Sequence, residues 1–201
     1  MMRTLERTRE TKETRIKATL TFPDTFPRVS STAPELSIDT GVPFFDHMLT
    51  AFAYHGGFGL LVKCTGDTDV DDHHSVEDIG IVLGSLFRQV VQDHGPVMRF
   101  GHAIIPMDDS LGEVVVDACG RSFLSWNVTF PQERAGHFDL HLVREFFTAF
   151  ASEAKINLHV IGRYGINGHH LCEALFKAAG RSLAQAFVPA GGTLSTKGSL
   201  E

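Results

Sequence analysis

The sequence lacks the long apolar runs and the basic clusters that characterise membrane proteins and nucleic-acid-binding proteins. No segment approaches eighteen consecutive apolar residues, so none is expected to span a bilayer as a helix. The formal net charge is −6 and no run of lysine or arginine occurs, which argues against a nucleic-acid partner. The first twenty residues contain no apolar core of the kind that a secretory signal requires. These absences predict a soluble, cytoplasmic protein without a membrane or nucleic-acid partner.

Cysteine is scarce, whereas histidine is abundant. The three cysteines, Cys64, Cys119 and Cys172, are an odd number at unrelated spacings, which is typical of free thiols in a reducing compartment. The eleven histidines are concentrated in a few places along the chain. With 201 residues, of which 43% are apolar, the chain is long enough to bury a sizeable core.

Two stretches of the chain repeat one order of predicted elements. Periodicity predicts helices at about 42–58, 73–94, 139–154 and 169–187, and strands at about 16–22, 58–66, 98–106, 112–120, 121–130 and 156–165. Thr50-Ala51-Phe52-Ala53 recurs 98 positions later as Thr148-Ala149-Phe150-Ala151. At an offset of 96, five identities align: His73 with His169, His74 with His170, Glu77 with Glu173, Gly84 with Gly180, and Gln89 with Gln185. The matches lie in register across equivalent elements, so we predict two related halves.

The repeated motif, His-His-x-x-Glu, has the side chains of a transition-metal site. On a helix His73 and Glu77 share one face, because they are four residues apart, whereas His74 points about 100° away. One helix therefore cannot easily give all three groups to a single ion. Two copies of the motif could instead form two mixed sites, in which His73 and Glu77 combine with His170, and His169 and Glu173 combine with His74.

Each mixed site would need a further ligand, and His47 and Glu145 occupy equivalent positions on the preceding helices. Imidazole and carboxylate ligands suit Mn, Fe, Zn, Co or Ni better than Ca or Mg. The spacing differs from His-Glu-x-x-His, so the zinc-protease motif is absent from this pair.

A polar helix start is the alternative interpretation of the same run. Asp71 or Asp72 would cap the helix, and acids in its first turn would be favoured by the helix dipole. Capping accounts for the acids but leaves the two histidines unexplained, so both interpretations can hold together.

Longer segments around these motifs resemble one enzyme family. FFDHML, DDHHSVEDIGI, MRFGHAIIPMDD, NGHHLCEALFKAAGRSL and GGTLSTKG are similar to imidazoleglycerol-phosphate dehydratases, from about Arg7 to Gly198. The resemblance implies a hydro-lyase of histidine biosynthesis that converts D-erythro-imidazole glycerol phosphate to imidazole acetol phosphate and water. It implies an α+β fold (ribosomal protein S5 domain 2-like) with helices between two four-stranded sheets. Within this single domain, 1–201, we place the halves at about 7–95 and 96–190, followed by a tail at 191–201.

The resemblance also implies a cofactor and an assembly. Family members bind two manganese ions per active site, which contact the imidazole or imidazolate of the substrate. They form homo-oligomers of 24 subunits, with active sites shared between subunits. The implied metal ligands here are His47, His73, His74, Glu77, Glu145, His169, His170 and Glu173. Glu145 departs from the pattern, because several relatives have histidine there, but a carboxylate is also a competent ligand.

Further residues are assigned by the same resemblance. The implied catalytic residues are Glu13, His47, His73, Glu77, His169 and Glu173, with Glu13 as the proton carrier in contact with substrate and His55 also near it. The substrate phosphate is assigned to Arg99, Arg121, Ser195, Thr196 and Lys197, which offer cationic and hydroxyl donors. We expect the tail to order over the substrate. Arg121 stands in Gly-Arg-Ser-Phe, which departs from the commoner Gly-Arg-Pro-Tyr and makes the local turn harder to predict.

Two other functions are compatible with such a ligand set. A binuclear hydrolase would use a metal-bound water on similar ligands. A metal-storage or structural cage would use many histidines and a large assembly, but it would leave the implied phosphate-binding residues without a purpose.

Overall fold

A computed structural model describes residues 3–22 and 33–192 of the chain. The first half consists of β1 (Arg3–Glu10), β2 (Thr14–Phe22), β3 (Leu36–Asp39), α1 (Pro43–Gly56), β4 (Gly59–Gly66) and α2 (His73–His94). The second half consists of β5 (Phe100–Met107), β6 (Ser110–Asp117), β7 (Phe123–Asn127), β8 (Arg134–Ala135), β9 (Phe138–Asp139), α3 (Leu142–Ala154), β10 (Asn157–Tyr164) and α4 (Gly168–Ala186).

The two large sheets have the same strand order. In the first half the order is β1-β2-β4-β3, and in the second it is β5-β6-β10-β7, with equivalent strands in equivalent places. The last strand pair of each sheet, β3 with β4 and β7 with β10, is parallel, and the other pairs are antiparallel. The α+β fold with two four-stranded sheets is therefore confirmed, whereas the exact division at residue 95 stays a prediction.

The helices lie between the two sheets. α2 packs on β1, β2 and β4, α4 packs on β5, β6 and β10, and the helices meet in the pairs α1 with α4 and α2 with α3. Strand β2 shows why these layers form, since Ile16, Ala18, Leu20 and Phe22 are buried and point to the helices. Cys64, Cys119 and Cys172 are buried, free thiols, as predicted. No helix in residues 3–22 and 33–192 is both long and apolar enough to cross a membrane.

Some elements differ from the sequence prediction. The strand β1 was not predicted, because Leu5 is its only buried residue and the strand is an edge held by pairing with β2. Helix α3 begins at Leu142, a few residues later than predicted, because the residues before it form the small β8–β9 hairpin.

Glycines at equivalent positions bring each helix pair into close contact. A Cβ atom on Gly84 of α2 would lie 2.5 Å from the carbonyl oxygen of Phe150 on α3. A Cβ atom on Gly180 of α4 would likewise overlap the carbonyl oxygen of Phe52 on α1. The repeated glycine and the repeated Thr-Ala-Phe-Ala segment are thus the two sides of one contact, which occurs twice.

We expect Gly84→Ala and Gly180→Ala each to destabilise the protein by about 1–3 kcal/mol, because an added methyl group forces the helix backbones apart. The free energy of unfolding, measured with urea, tests this. Gly192→Ala is the matched control, since a Cβ atom there meets nothing within 4 Å. Equal unfolding midpoints for Gly180→Ala and the control would show that the close contact is not needed.

Candidate active site

Three of the expected metal ligands lie together between α1 and α4. His47 is on α1, whereas His169 and Glu173 are four residues apart at the start of α4. The Nε2 atoms of His47 and His169 lie 3.3 and 3.4 Å from Oε2 of Glu173. The ligand atoms of all three residues lie within 4.8 Å of one another.

This donor set fits a divalent transition-metal ion. Two imidazole nitrogens and one carboxylate oxygen are ligands that Mn, Fe, Zn and Co accept. Atoms bound about 2.0–2.2 Å from one ion can be up to about 4.4 Å apart, so small side-chain movements would suffice to close the group. His47 is exposed, which leaves one side of the group open.

Glu173 is held in its ionised form beside these histidines. Burial raises the pKa of this carboxyl group, but the hydrogen bond and charge of Lys177, together with His47, outweigh burial and lower the pKa overall. The ammonium Nζ of Lys177 lies 2.7 Å from Oε1 of Glu173, so Oε2 is left to face the histidines. His55 lies near the same helix; desolvation, and then the charges of Lys177 and Arg181, lower its pKa.

The first half of the chain has a histidine–glutamate pair that corresponds to His169 and Glu173, but no third ligand from residues 3–22 and 33–192 completes it. Nε2 of His73 lies 3.2 Å from Oε2 of Glu77, as their spacing predicted. Glu145, on the first turn of α3, is half-buried and borders a cleft of about 480 Å³ with Trp126 and Arg144. Among the described residues no second group of three metal-ligating side chains meets the 4.8 Å limit, so the chain does not gather Glu145 with His73 and Glu77.

His74 and His170 point away from these pairs, as the helix geometry predicted. Nδ1 of His74 lies 3.1 Å from both carboxylate oxygens of Asp67. Nδ1 of His170 lies 2.5 Å from Oδ1 of Asp109. The hydrogen bond to Asp67 raises the pKa of His74, and that to Asp109 raises the pKa of His170. Neither mixed set expected from sequence forms within the described residues of one chain, so each would require a second subunit.

Glu13 lies beside His74. It belongs to the turn between β1 and β2, its side chain is 53% exposed, and its Oε2 lies 3.8 Å from Nε2 of His74. The backbone N–H of Asp67 donates to the carbonyl oxygen of Glu13 at 3.2 Å, which ties this turn to the loop before α2. A proton carrier at this position would be accessible to a small molecule bound near the histidines.

The expected phosphate-binding arginines lie at the opposite end of α4. Arg99 donates through its guanidinium to Asp117 at 2.7 Å, and its backbone N–H bonds the carbonyl oxygen of Ala186, the last residue of α4. His169 is near the first residue of this helix, so the two ends are roughly 25 Å apart at 1.5 Å per residue. Arg121 is exposed in the bend after β6. Ser195, Thr196 and Lys197 lie outside the described residues.

The start of α2 combines both interpretations of the acidic run. Oδ1 of Asp71 accepts a hydrogen bond of 2.8 Å from the backbone N–H of His73, so Asp71 satisfies the helix start. Asp72 occupies the N-cap position but its side chain makes no capping hydrogen bond, and the first turn contains no acid. The expectation of acids within that turn was wrong, because the turn begins at the histidine pair.

The comparisons with known proteins identify one enzyme family. A family model described as imidazoleglycerol-phosphate dehydratase matches residues 40–183. The chain belongs to the imidazoleglycerol-phosphate dehydratase family. Proteins of that name from Pelobacter propionicus and Trichlorobacter lovleyi are 46% and 49% identical to it, with 100% of both chains covered in each comparison.

Two solved structures of imidazoleglycerol-phosphate dehydratases have the same fold. The enzyme from Staphylococcus aureus is 36% identical, with a TM-score of 0.80 over 94% of this chain and 100% of that chain. The enzyme from Pyrococcus furiosus, solved in complex with (S)-C348, is 34% identical, with a TM-score of 0.80 over 96% of this chain and 99% of that chain.

Three residues of the candidate site were missed from the sequence. Lys177 follows Glu173 by four residues, a spacing that indicates an ion pair on a helix and could have been noticed. Asp109 stands in the Met-Asp-Asp run that carried part of the family resemblance, but its partner is 61 residues away. Asp67 has no local motif, and only the fold brings it to His74.

We expect His47→Ala to weaken Mn²⁺ binding by at least about tenfold, because it removes one of three donors from the preformed group. Metal content after dialysis against graded chelator measures the change. His102→Ala is the control, since it removes an exposed imidazole on strand β5. Retention of metal equal to that of the control would mean that the group between α1 and α4 is not a metal site.

Proposed function

We propose that the chain dehydrates imidazole glycerol phosphate to imidazole acetol phosphate in histidine biosynthesis, with two Mn²⁺ ions per active site. The observation that carries the proposal is the preformed group of His47, His169 and Glu173 in a chain that matches this dehydratase family along its full length. Three buried, free thiols support a reducing compartment, so we place the protein in the cytoplasm.

The proposed metal ligands are the eight residues His47, His73, His74, Glu77, Glu145, His169, His170 and Glu173. Bound divalent ions would act as Lewis acids that stabilise negative charge on the imidazole ring of the substrate. The Glu173 carboxylate, kept ionised by Lys177, is suited to this role because a metal ligand must be deprotonated.

Glu13 is the proposed acid/base group. Dehydration removes one carbon-bound proton and one hydroxide from the substrate, which together leave as water. The Glu13 carboxylate can accept the carbon-bound proton and later give a proton to the departing oxygen. Its exposed side chain and its position 3.8 Å from His74, a proposed metal ligand, support this role.

The proposed phosphate site supports an assembly with shared active sites. The substrate is far shorter than the roughly 25 Å between His169 and Arg99, so one chain cannot offer both ends to one substrate. Ligands from a second subunit would resolve this. The proposed phosphate set is Arg99 with Arg121, Ser195, Thr196 and Lys197, and His55 is proposed to lie near the substrate. We propose a homo-oligomer, with 24 subunits as in the family.

The activity itself is tested with purified protein, Mn²⁺ and imidazole glycerol phosphate. We expect imidazole acetol phosphate to form without release of inorganic phosphate, and we expect Glu13→Gln to lower kcat at least about 100-fold. Asp69→Asn, which removes a charge from an exposed loop, is the control. Phosphate release without dehydration would instead indicate a hydrolase, and the absence of any turnover with metal bound would favour a storage cage.

Shared sites predict complementation between two inactive variants. Arg99→Ala alters the end of α4 that is proposed to bind phosphate (the phosphate end), and His169→Ala alters the end that carries the proposed metal ligands (the metal end). Each variant alone should therefore be inactive. Joint refolding should restore about one quarter of the wild-type rate, since each intact end comes from half of the chains. A mixture that is as inactive as its components contradicts the shared site. Joint refolding of Arg99→Ala with Arg121→Ala, which both lack the phosphate end, is the matched control.

A further inference from the structure

Two carboxylates outside the proposed ligand and substrate sets bind the two outward-pointing histidines. Asp67 contacts His74, and Asp109 contacts His170, in both cases through Nδ1 of the imidazole. Both pairs are partly buried, with 25–32% of each side chain exposed. The other ring nitrogen, Nε2, lies farther from any acid: 3.8 Å from Glu13 for His74 and 3.7 Å from Asp108 for His170.

These contacts determine which ring nitrogen of each histidine is available to bind a metal ion. An ionised carboxylate can only accept hydrogen bonds, so Nδ1 must carry the proton that is shared with it. In the neutral ring Nε2 then has the free lone pair, which a metal ion requires. The contact also fixes the rotation of each ring. The carboxylates therefore contact each proposed metal ligand, His74 or His170, at the ring nitrogen that would not face the metal ion.

Asp109 is itself rigidly held. Its Oδ2 accepts hydrogen bonds from the backbone N–H groups of Ile166 and Asn167, at 2.8 and 3.0 Å, and from the hydroxyl of Ser110 at 3.0 Å. These bonds leave Oδ1 for His170. Asp109 thus connects the β5–β6 turn to the loop before α4 and sets the direction of the imidazole.

The duplication gives Asp109 a counterpart in the first half, and that counterpart is Glu13. Asp109 immediately precedes Ser110, the first residue of β6, and Glu13 immediately precedes Thr14, the first residue of β2. The two positions are 96 residues apart, the same offset as between His74 and His170. If the two halves used these equivalent acids in the same way, Glu13 would contact Nδ1 of His74, as Asp109 contacts Nδ1 of His170.

Glu13 lies instead on the Nε2 side of His74, and Asp67 occupies the Nδ1 side. Asp67 is in the loop between β4 and α2, at 67–72. The corresponding loop between β10 and α4 is Gly165-Ile166-Asn167, which contains no acid. Each half therefore has one orienting carboxylate, but the two carboxylates come from different loops.

We propose that Asp67 and Asp109 are positioning residues that orient His74 and His170 for metal binding, and that Asp67 thereby frees Glu13 to act on the substrate. The proposal rests on the proposed function for the role of Glu13 alone. The orienting role concerns metal affinity, which is measured without substrate. A wild-type protein that binds Mn²⁺ without dehydrating anything would disprove the function and leave the orienting role standing.

The first experiment measures the dissociation constant for Mn²⁺ on purified full-length protein, by competition with a fluorescent chelator. We expect Asp67→Ala and Asp109→Ala each to raise it about 10–100-fold, the usual effect of losing a carboxylate behind a metal-bound histidine. Asp69→Ala, an exposed acid of the same loop as Asp67, should leave it unchanged. Asp67→Asn retains an oxygen acceptor without the charge and should give an intermediate value; it also serves if the alanine variant does not fold.

The second experiment separates positioning from a general effect on structure. If Asp67 acts through His74, adding Asp67→Ala to His74→Ala should weaken Mn²⁺ binding no further. Glu13→Gln should leave Mn²⁺ affinity at the wild-type value while it lowers kcat. Additive losses in the double variant would overturn the orienting role. A loss of affinity in Glu13→Gln equal to that in Asp67→Ala would overturn the division of labour between the two acids.

Discussion

The close approach of α1 to α4 is the contact on which the candidate site depends. It is set by Gly180, where the backbone of α1 comes so near that a side chain would overlap the carbonyl oxygen of Phe52. His47 is on the turn of α1 that precedes Phe52, and His169 and Glu173 are on the turns of α4 that precede Gly180. A wider separation would move the His47 imidazole away from Glu173. The packing of two helix backbones thus determines a distance between ligand atoms.

Orientation of the histidines is a separate requirement, and the fold meets it with carboxylates from loops. The helix backbone fixes the positions from which the side chains of His74 and His170 extend, but it does not fix the rotation of their imidazole rings. Asp67 and Asp109 each reach the Nδ1 atom, so that Nε2 points outward. Among the described residues these outward Nε2 atoms belong to no group of three metal-ligating side chains, which supports our proposal that a neighbouring subunit completes the site.

Elements with a clear apolar pattern were predictable from the sequence, including the edge strands β5 and β7, whereas the edge strands β1 and β3 were not. Ile16, Ala18, Leu20 and Phe22 alternate with polar residues, so β2 was apparent, whereas β1 has only Leu5 to mark its buried face. The repeat of glycine and of Thr-Ala-Phe-Ala predicted two related halves, and the structure adds the reason, which is the paired helix contact. Local pattern thus predicts strands that carry several apolar side chains, but not β1 and β3, which carry one and two and are held by pairing with β2 and β4.

The candidate site was likewise predictable only in its local contacts. Spacing along one helix predicted that His73 faces Glu77, and that His74 and His170 point elsewhere. It could not predict that His47 meets His169 and Glu173, nor that Asp67 meets His74, because these contacts join segments far apart in sequence. Spacing along a helix carries no information about neighbouring elements.

The two halves are alike in fold but unlike in chemistry. Glu173 is buried and bonded to Lys177, whereas its counterpart Glu77 is half-exposed, and the position that matches Lys177 is Ile81. The group around Glu173 is therefore preformed and charged within one chain, while the residues around Glu77 remain apart. We infer that the two copies of the His-His-x-x-Glu motif serve different tasks, because the surrounding loops and helix faces differ. A single active site that must hold an imidazole ring, a proton carrier and a phosphate has use for such unequal copies, because its ends make different chemical demands.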